Sequence, residues 1–335
     1  MQEFFTLDPN YSTTRIVARQ RPLLERNPGD KFTSILFLPE NKERKGEGGL
    51  RTNNYFKSSL DNKPLVTVVT VVFNGEKYLE ETINSVINQD YNNVEYILID
   101  GGSSDGTIEI IKKYQHALDY WVSEQDDGLY YAMNKGIELT TGDWVYFLNA
   151  DDFIAHNNVL ESVAKSIITH KIINPIVYGK LHMINARNEK VKECGEIMTN
   201  VKKLINDKLV IPSQSALISM VKLKKIGKYD ITFKIAADYD LFLRLLKDDM
   251  PYFINDLLIA NMRMGGISSN LDNALILLNE NRSVFIKNGY RGINIKLLSS
   301  YLLVYIRIFI LRLFGEKIGR EIVKICMLVI YKRRE

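Results

Sequence analysis

Three acidic stretches of this chain have residue types and spacing that could do chemistry. Asn149-Ala150-Asp151-Asp152 sets two carboxylates directly after an apolar run. Acids grouped in this way can hold a hard divalent cation, Mg2+ or Mn2+, with the phosphates of a ligand completing the shell. The plainer reading of the same residues is that Asp152 caps a following helix and Asp151 solvates a turn. Asp100-Gly101-Gly102-Ser103-Ser104-Asp105-Gly106-Thr107 also follows an apolar run. Its glycines permit a tight turn whose N–H groups could meet an anion or a base edge at a helix start. It could equally be a strand-to-helix turn with Ser104 or Asp105 as N-cap. Gly101, Gly102 and Gly106 miss the Gly-x-Gly-x-x-Gly spacing of a dinucleotide-binding turn, which speaks against a nicotinamide enzyme. The third stretch, Ala236-Ala237-Asp238, leads into the apolar-periodic Tyr239–Leu246. Asp238 is there either an N-cap or an acid with a chemical task. Asp240 and Arg244, spaced i,i+4, are expected to form an ion pair on the surface or along a groove. His116, His156, His170 and His182 show no metal-ligand spacing and are expected at the surface.

These residues need elements to position them, and the hydrophobic pattern supplies them. Leu65–Phe73 is a continuous, mostly β-branched run, the signature of a strand buried on both faces. Asn74-Gly75 ends it, and Glu76–Gln89 follows with helical spacing. Val94–Ile99 predicts a second buried strand, Thr107–Tyr114 a helix, Tyr120–Ser123 a short strand, Leu129–Leu139 a helix and Trp144–Leu148 a further strand. Alternation of this kind predicts a mostly parallel, doubly wound α/β sheet. Ligands of such sheets bind beyond the carboxyl ends of the strands, where Asn74, Asp100 and Asp151 should converge. Strands near Ile176–Tyr178 and Ser215–Ser219 and a helix at Tyr239–Leu246 continue the mixed pattern.

Taken in order, VTVVTVVFNGEKYLEETINSVINQDY, VEYILIDGGSSDGT, SEQDDGLYYAMNKGIELTTGDWVYFLNADD and KIAADYDLFLRL resemble the family 2 glycosyltransferases. The resemblance is to the subgroup that builds bacterial O-antigen and capsular polysaccharide, and it covers roughly residues 64–270. It implies the GT-A fold, a Rossmann-like, mostly parallel doubly wound sheet. By residue, it implies that Phe73 packs on the nucleobase with Asn74 and Glu76 beside it. Asp100 would belong to the acidic turn that contacts uracil or ribose, with Gly101 where many members carry a second acid. Asp126, Asn134 and Lys135 would line the donor sugar and diphosphate. Asp151 would be the metal-binding acid of the Asp-x-Asp motif, whose first Asp is replaced here by Asn149. Asp238 would be the catalytic base of an inverting displacement, with Mn2+ or Mg2+ and Lys135 neutralising the departing nucleoside diphosphate. Relatives often carry a His after the Pro at 212, where this chain has Ser213-Gln214.

Composition sets the frame. The chain has 335 residues, 46% hydrophobic and 25% charged, the balance of a folded protein. Cys194 and Cys326 match no metal-ligand or redox spacing and suit a reduced cytosol. The start lacks a basic residue run followed by an apolar one, so no signal peptide is expected. The net charge is +4, yet residues 291–335 hold ten Lys/Arg against three Glu. The basic excess is therefore confined to the tail, which points to an anionic partner. Ile293–Phe314 and Ile318–Tyr331 are apolar but interrupted by Lys296, Arg307, Arg312, Arg320 and Lys324. Too few uncharged residues lie between them to span a bilayer, so amphipathic helices lying in the membrane interface are expected. A helical pair packed on the catalytic domain, or on a second subunit of a homodimer, is the alternative.

The expected organisation is an N-terminal extension of unknown role (1–63), a catalytic domain (64–270; donor half 64–152, acceptor half 153–270) and basic C-terminal helices (271–335). The expected partners are a nucleotide-sugar donor, UDP-linked, a lipid-linked saccharide acceptor and an anionic membrane surface, with no nucleic acid. The expected location is cytoplasmic, peripheral on the inner face of the cell membrane. A sugar nucleotidyltransferase is the competing enzyme class, but Phe73-Asn74-Gly75-Glu76-Lys77 stands where its Gly-rich, Arg-containing loop would be. A catalytically degenerate scaffold at the membrane is the non-enzymatic alternative.

Overall fold

β-branched runs commit the first strands locally, because their stiff side chains pack well on a pleated surface. In the computed structural model, which describes residues 3–206, 210–266, 273–290, 297–307, 309–310 and 313–314, both Val66–Val72 (β2) and Val94–Asp100 (β3) are buried at every position. Around them, in chain order, lie β1 (Gly46–Gly48), α1 (Leu79–Ile87), α2 (Thr107–Tyr114), β4 (Tyr120–Ser123), α3 (Leu129–Leu139) and β5 (Trp144–Phe147). Then follow β6 (Phe153–Ile154), α4 (Val159–Thr169), β7 (Ile176–Ile184), β8 (Lys190–Cys194) and α5 (Val201–Asn206). Next come β9 (Ala216–Ser219), α6 (Met220–Ile226), α7 (Ala237–Leu245), β10 (Tyr252–Arg263) and α8 (Ala274–Lys287).

The strands form one sheet in the order β1-β4-β3-β2-β5-β9-β7-β10-β6, with β8 on β7. Its centre, β4-β3-β2-β5, is parallel throughout. The chain builds outward from β2 through β3 and β4, then returns to the other side of β2 with β5, so the winding reverses beside β2. That reversal opens a crevice at the carboxyl ends of the strands. Beyond β5 the sheet is mixed: β9 runs antiparallel to β5 and β7, and β10 runs parallel to β7. The expected doubly wound α/β architecture is present, and the antiparallel β9 and β1 extend it. A core of Val, Ile, Leu and aromatic side chains from these strands and from α1 and α4 is almost wholly excluded from solvent.

The chain divides into two compact units, Met1–Met264 and Gly265–Glu335. Residues before β2 are stitched into the first unit. β1 pairs antiparallel with β4. Arg51, 2% exposed, meets Glu95 at 2.6 Å and donates to the Leu139 carbonyl at 2.9 Å. Glu95 also accepts from the hydroxyls of Thr67 and Thr141, so this buried carboxylate is fully used. In the second unit, Leu278, Val284 and Phe285 of α8 are buried, and Tyr301 donates to Asn279 at 2.8 Å. Residues 297–307 are helical. Leu298, Leu302, Tyr305, Ile306 and Phe309 are exposed at helical spacing. Lys296, Arg312, the expected helix Ile318–Tyr331 and the final basic residues lie outside the described residues. No helix among the described residues is long and apolar enough to cross a membrane.

Candidate active site

The turns at the carboxyl ends of β2 and β3 are tied to each other before any ligand is considered. Phe73 follows β2 and is 67% exposed, a large apolar side chain left uncovered just past the strand end. Asn74 adopts φ 51°, the left-handed conformation that Asn tolerates. Its N–H donates to Ser103 Oγ at 2.7 Å and its side-chain oxygen accepts the Ser104 N–H at 2.9 Å. Glu76 accepts the Gly106 N–H at 2.6 Å, at the start of α2. Asp105 accepts the Thr107 N–H at 3.1 Å from one residue before the N-cap position, which Gly106 holds in place of the expected Ser104 or Asp105. Asn74 and Glu76, expected beside the base, thus tie this pair of turns together.

Asp100 is completely buried. Its carboxylate accepts from Ser123 Oγ at 2.6 Å, from the Ser103 N–H at 3.0 Å and from the Ser103 hydroxyl. As placed, its carboxylate organises the acidic turn from within. The space that a second acid would fill is occupied differently. A Cβ added at Gly101 would come within 3.2 Å of Asp126 Oδ2, so the Asp126 carboxylate lies over the glycine. Oδ1 of Asp126 accepts the Gly128 N–H at 3.0 Å, while Oδ2 is buried with no hydrogen-bond partner among the described residues. Burial raises the Asp126 pKa, the neighbouring charges of Asp100 and Asp127 add to this, and the Gly128 N–H and Lys135 oppose it.

α3 carries the next group. Lys135 meets Glu124 at 2.9 Å. Asn134 binds Tyr229 twice, its amide donating to the carbonyl at 3.0 Å and its oxygen accepting the N–H at 2.9 Å. It joins α3 to the loop after α6. The Tyr229 ring packs on Tyr130 at 5.3 Å and on Phe147 at 5.5 Å. Tyr130 is buried, and its hydroxyl donates to the Ile235 carbonyl at 2.7 Å and reaches Asp238 Oδ1 at 3.5 Å. α7 begins at Ala237 with Ala236 as its N-cap residue, so Asp238 lies within the first turn and is not the cap. Asp240 is completely buried against Arg244 at 2.8 Å, and Arg244 also holds the carbonyls of Ile226 and Lys228. The expected surface or groove pair is therefore an internal brace between α7 and the end of α6.

Phe147 ends β5 two residues before Asn149, so the Tyr130–Tyr229–Phe147 contacts link the first turn of α7 to the end of β5. Asn149 donates to Asp152 at 3.3 Å. Asp152, 1% exposed, accepts the Arg263 N–H at 2.9 Å. It caps no helix, because Phe153–Ile154 continues as β6. Arg263 donates to the Asp151 carbonyl at 2.5 Å, to Glu81 at 2.6 Å and to Asn188 at 3.0 Å, with its guanidinium 4.3 Å from the centre of the Tyr78 ring. Burial raises the pKa of both aspartates, Asp152 the more, since the adjacent Asp151 charge adds to it. Among the described residues no three His, Cys, Asp or Glu side chains form a ready cation cage. A single desolvated carboxylate nevertheless fits a Mg2+ or Mn2+ ion that arrives with a diphosphate, because phosphate oxygens and water complete the shell.

Ser213 sits in a tight turn, donating to the Gln214 side chain at 3.0 Å, while Tyr146 donates to the Gln214 carbonyl at 2.8 Å. His182 pairs with Glu193 at 2.9 Å on β7 and β8, and the other three histidines are exposed. Glu124, Tyr130, Tyr229 and Arg263 were not picked out from sequence. Glu124 and Tyr130 lie inside a stretch already singled out. Nothing in local pattern marks Arg263. A shallow cavity of about 280 Å³ between α4 and the Asn62–Lys63 and Asp90–Asn92 turns lies at the opposite end of the strands and contains none of these residues.

Residues 67–225 match a family model described as glycosyl transferase family 2. The chain is 32% identical over 187 residues to an uncharacterised glycosyltransferase of Mycobacterium tuberculosis, covering 55% of this chain and 70% of that protein. Among solved structures, its fold is similar to that of Staphylococcus aureus TarS 1–349 in complex with UDP-GlcNAc, with a TM-score of 0.55 at 18% identity, covering 76% of this chain and 77% of that one. It is also similar to a mannosyltransferase from Pyrobaculum calidifontis in complex with GDP-Man and Mn2+, with a TM-score of 0.52 at 14% identity, covering 81% and 82%.

Proposed function

This chain belongs to glycosyl transferase family 2 and is a glycosyltransferase of GT-A fold, and from that premise we propose that it moves a sugar, with inversion, from a UDP-linked donor to a hydroxyl of a lipid-linked saccharide. The observation that supports this reading is the run of contacts from Asp238 through Tyr130 and Tyr229 to Phe147, which joins the first turn of α7 to the end of β5 just ahead of Asp151. The exposed Phe73 ring suits stacking on a base. The buried, unpartnered Asp126 oxygen suits a uracil N–H or a ribose hydroxyl, each of which would satisfy it.

In the proposed reaction Asp238 takes the proton of the acceptor hydroxyl as that oxygen bonds to the anomeric carbon and the bond to the diphosphate breaks. Lys135 keeps its ammonium beside the departing phosphate, where developing charge is stabilised. A Mn2+ or Mg2+ ion held by Asp151 would supply further neutralisation of the diphosphate. The neighbouring folds that bind UDP-GlcNAc and GDP-Man make uracil and guanine the two bases to compare first. The exposed apolar row at 298–309 and the basic excess of the tail support attachment to the anionic inner face of a bacterial cell membrane, where a lipid-linked acceptor for surface polysaccharide would be met.

A melting-temperature panel of nucleoside diphosphate sugars, with and without Mn2+, tests this. A donor at a hundredfold excess over its Kd should raise the melting temperature by roughly 5 °C, because it binds only the folded chain. Asp151→Ala should lose the Mn2+-dependent part of that rise. No shift with any UDP, GDP or dTDP sugar would reject the reading.

A further inference from the structure

The strap before β1 lies outside the stretch matched by the family, yet it reaches the crevice. The Lys45 N–H donates to the Ser123 carbonyl at 2.7 Å, extending the pairing of β1 with β4. The Lys45 ammonium donates to the carbonyls of Gly102 at 2.7 Å and Ser103 at 3.0 Å, in the turn built around Asp100. The strap lies flat on Trp121, since a Cβ at Gly48 would fall 2.6 Å from the indole nitrogen. Next to this anchor, Arg44 donates Nε to Glu124 Oε2 at 3.0 Å, and Lys135 holds the other oxygen, Oε1, at 2.9 Å. The far side of Arg44 meets Glu47 at 2.6 Å and the Pro39 carbonyl at 2.6 Å, so the guanidinium is fixed on three sides. Glu124 is 5% exposed. Burial works to raise its pKa, but the hydrogen bonds from Lys135 and Arg44 prevail and hold it below the usual carboxylate range.

We propose that Arg44 is a positioning residue of the donor site, acting through Glu124 on Lys135. This rests on the transferase reading above. A buried carboxylate facing one lysine cancels that lysine's charge and can swing with it. A carboxylate shared between two cations is held in one rotamer and leaves part of the lysine's charge for a second anion. Arg44 thereby sets where the Lys135 ammonium stands and how strongly it meets a diphosphate. The strap is part of the donor site although the family's own segment does not contain it.

Calorimetric titration of the full chain with UDP and GDP, and with uridine and guanosine as diphosphate-free controls, decides the matter. Arg44→Gln should weaken the bound nucleoside diphosphate about tenfold, the effect of one charge-assisted contact, and leave the nucleoside unchanged. Arg44→Lys should recover part of the loss. In a Lys135→Met background Arg44→Gln should add nothing, because the path to the phosphate is already cut. Equal losses for nucleoside and diphosphate, or a full loss persisting in the Lys135→Met background, would overturn the proposal and leave the transferase reading standing. Unaltered UDP and GDP affinity in Arg44→Gln would do the same. A wild-type chain that binds neither diphosphate sinks the transferase reading and this proposal with it. If Arg44→Gln does not fold, the Arg44→Lys and Lys135→Met pair carries the same coupling test.

Discussion

Asp238→Asn keeps the shape of the side chain and removes its capacity to take a proton. A general base contributes about 10²–10⁴-fold, so kcat should fall at least about a hundredfold while donor affinity survives. Turnover at the wild-type rate would remove Asp238 from the reaction. At Asp152 the prediction concerns pH. Its raised pKa means that the folded chain keeps a proton there which the unfolded chain has released, over the range from the ordinary carboxylate value upward. Stability therefore falls as pH climbs through that range, and Asp152→Asn should escape the fall. Melting curves should show the variant gaining on the wild type as pH climbs above the ordinary carboxylate value, and a constant difference would mean that the carboxylate is ionised in both states. Residue roles were only partly legible in sequence. The positions of Phe73 and Asp151 just past β2 and β5 were legible because each follows a strand whose end is marked by polar residues. The hydrogen bonds that hold Asp100 to Ser123 and Asn134 to Tyr229 were not legible, because those partners come from segments farther along the chain.

At the scale of elements, α7 is the piece whose placement decides where Asp238 stands. Arg244 braces it to the end of α6 and neutralises Asp240, which is 0% exposed. Arg244→Met leaves that carboxylate buried without its cation, a change that typically costs about 3–5 kcal/mol. Chemical denaturation should show a loss of that order, and a loss below about 1 kcal/mol would mean that water or another group replaces the guanidinium. The parallel strands were legible because each is a continuous apolar run of strand length. β10 was not. Its pairing with β7 shifts register between Phe253 and Leu258, and Asp256 there has φ 60°, so the alternation that marks a strand is interrupted. β1 is three residues long, too short for any periodicity to show.

For the whole molecule, composition located the basic tail but not what surrounds it. If the exposed apolar row at 298–309 lies in a membrane interface, the full chain should float with anionic vesicles and a chain lacking residues 291–335 should not. Flotation retained after that truncation would place the contact elsewhere. The same scale gives the unbroken sheet of the first unit its meaning. Donor-side strands and those that follow β5 are joined by continuous ladders of backbone hydrogen bonds, from β1 at one margin to β6 at the other. Two lobes so welded have no hinge between them and cannot open and shut like a clamshell. Within this unit, closure over a ligand falls to the turns at the strand tips, and the rigid floor beneath them means that a ligand would be gripped from above while the strand ends keep their spacing.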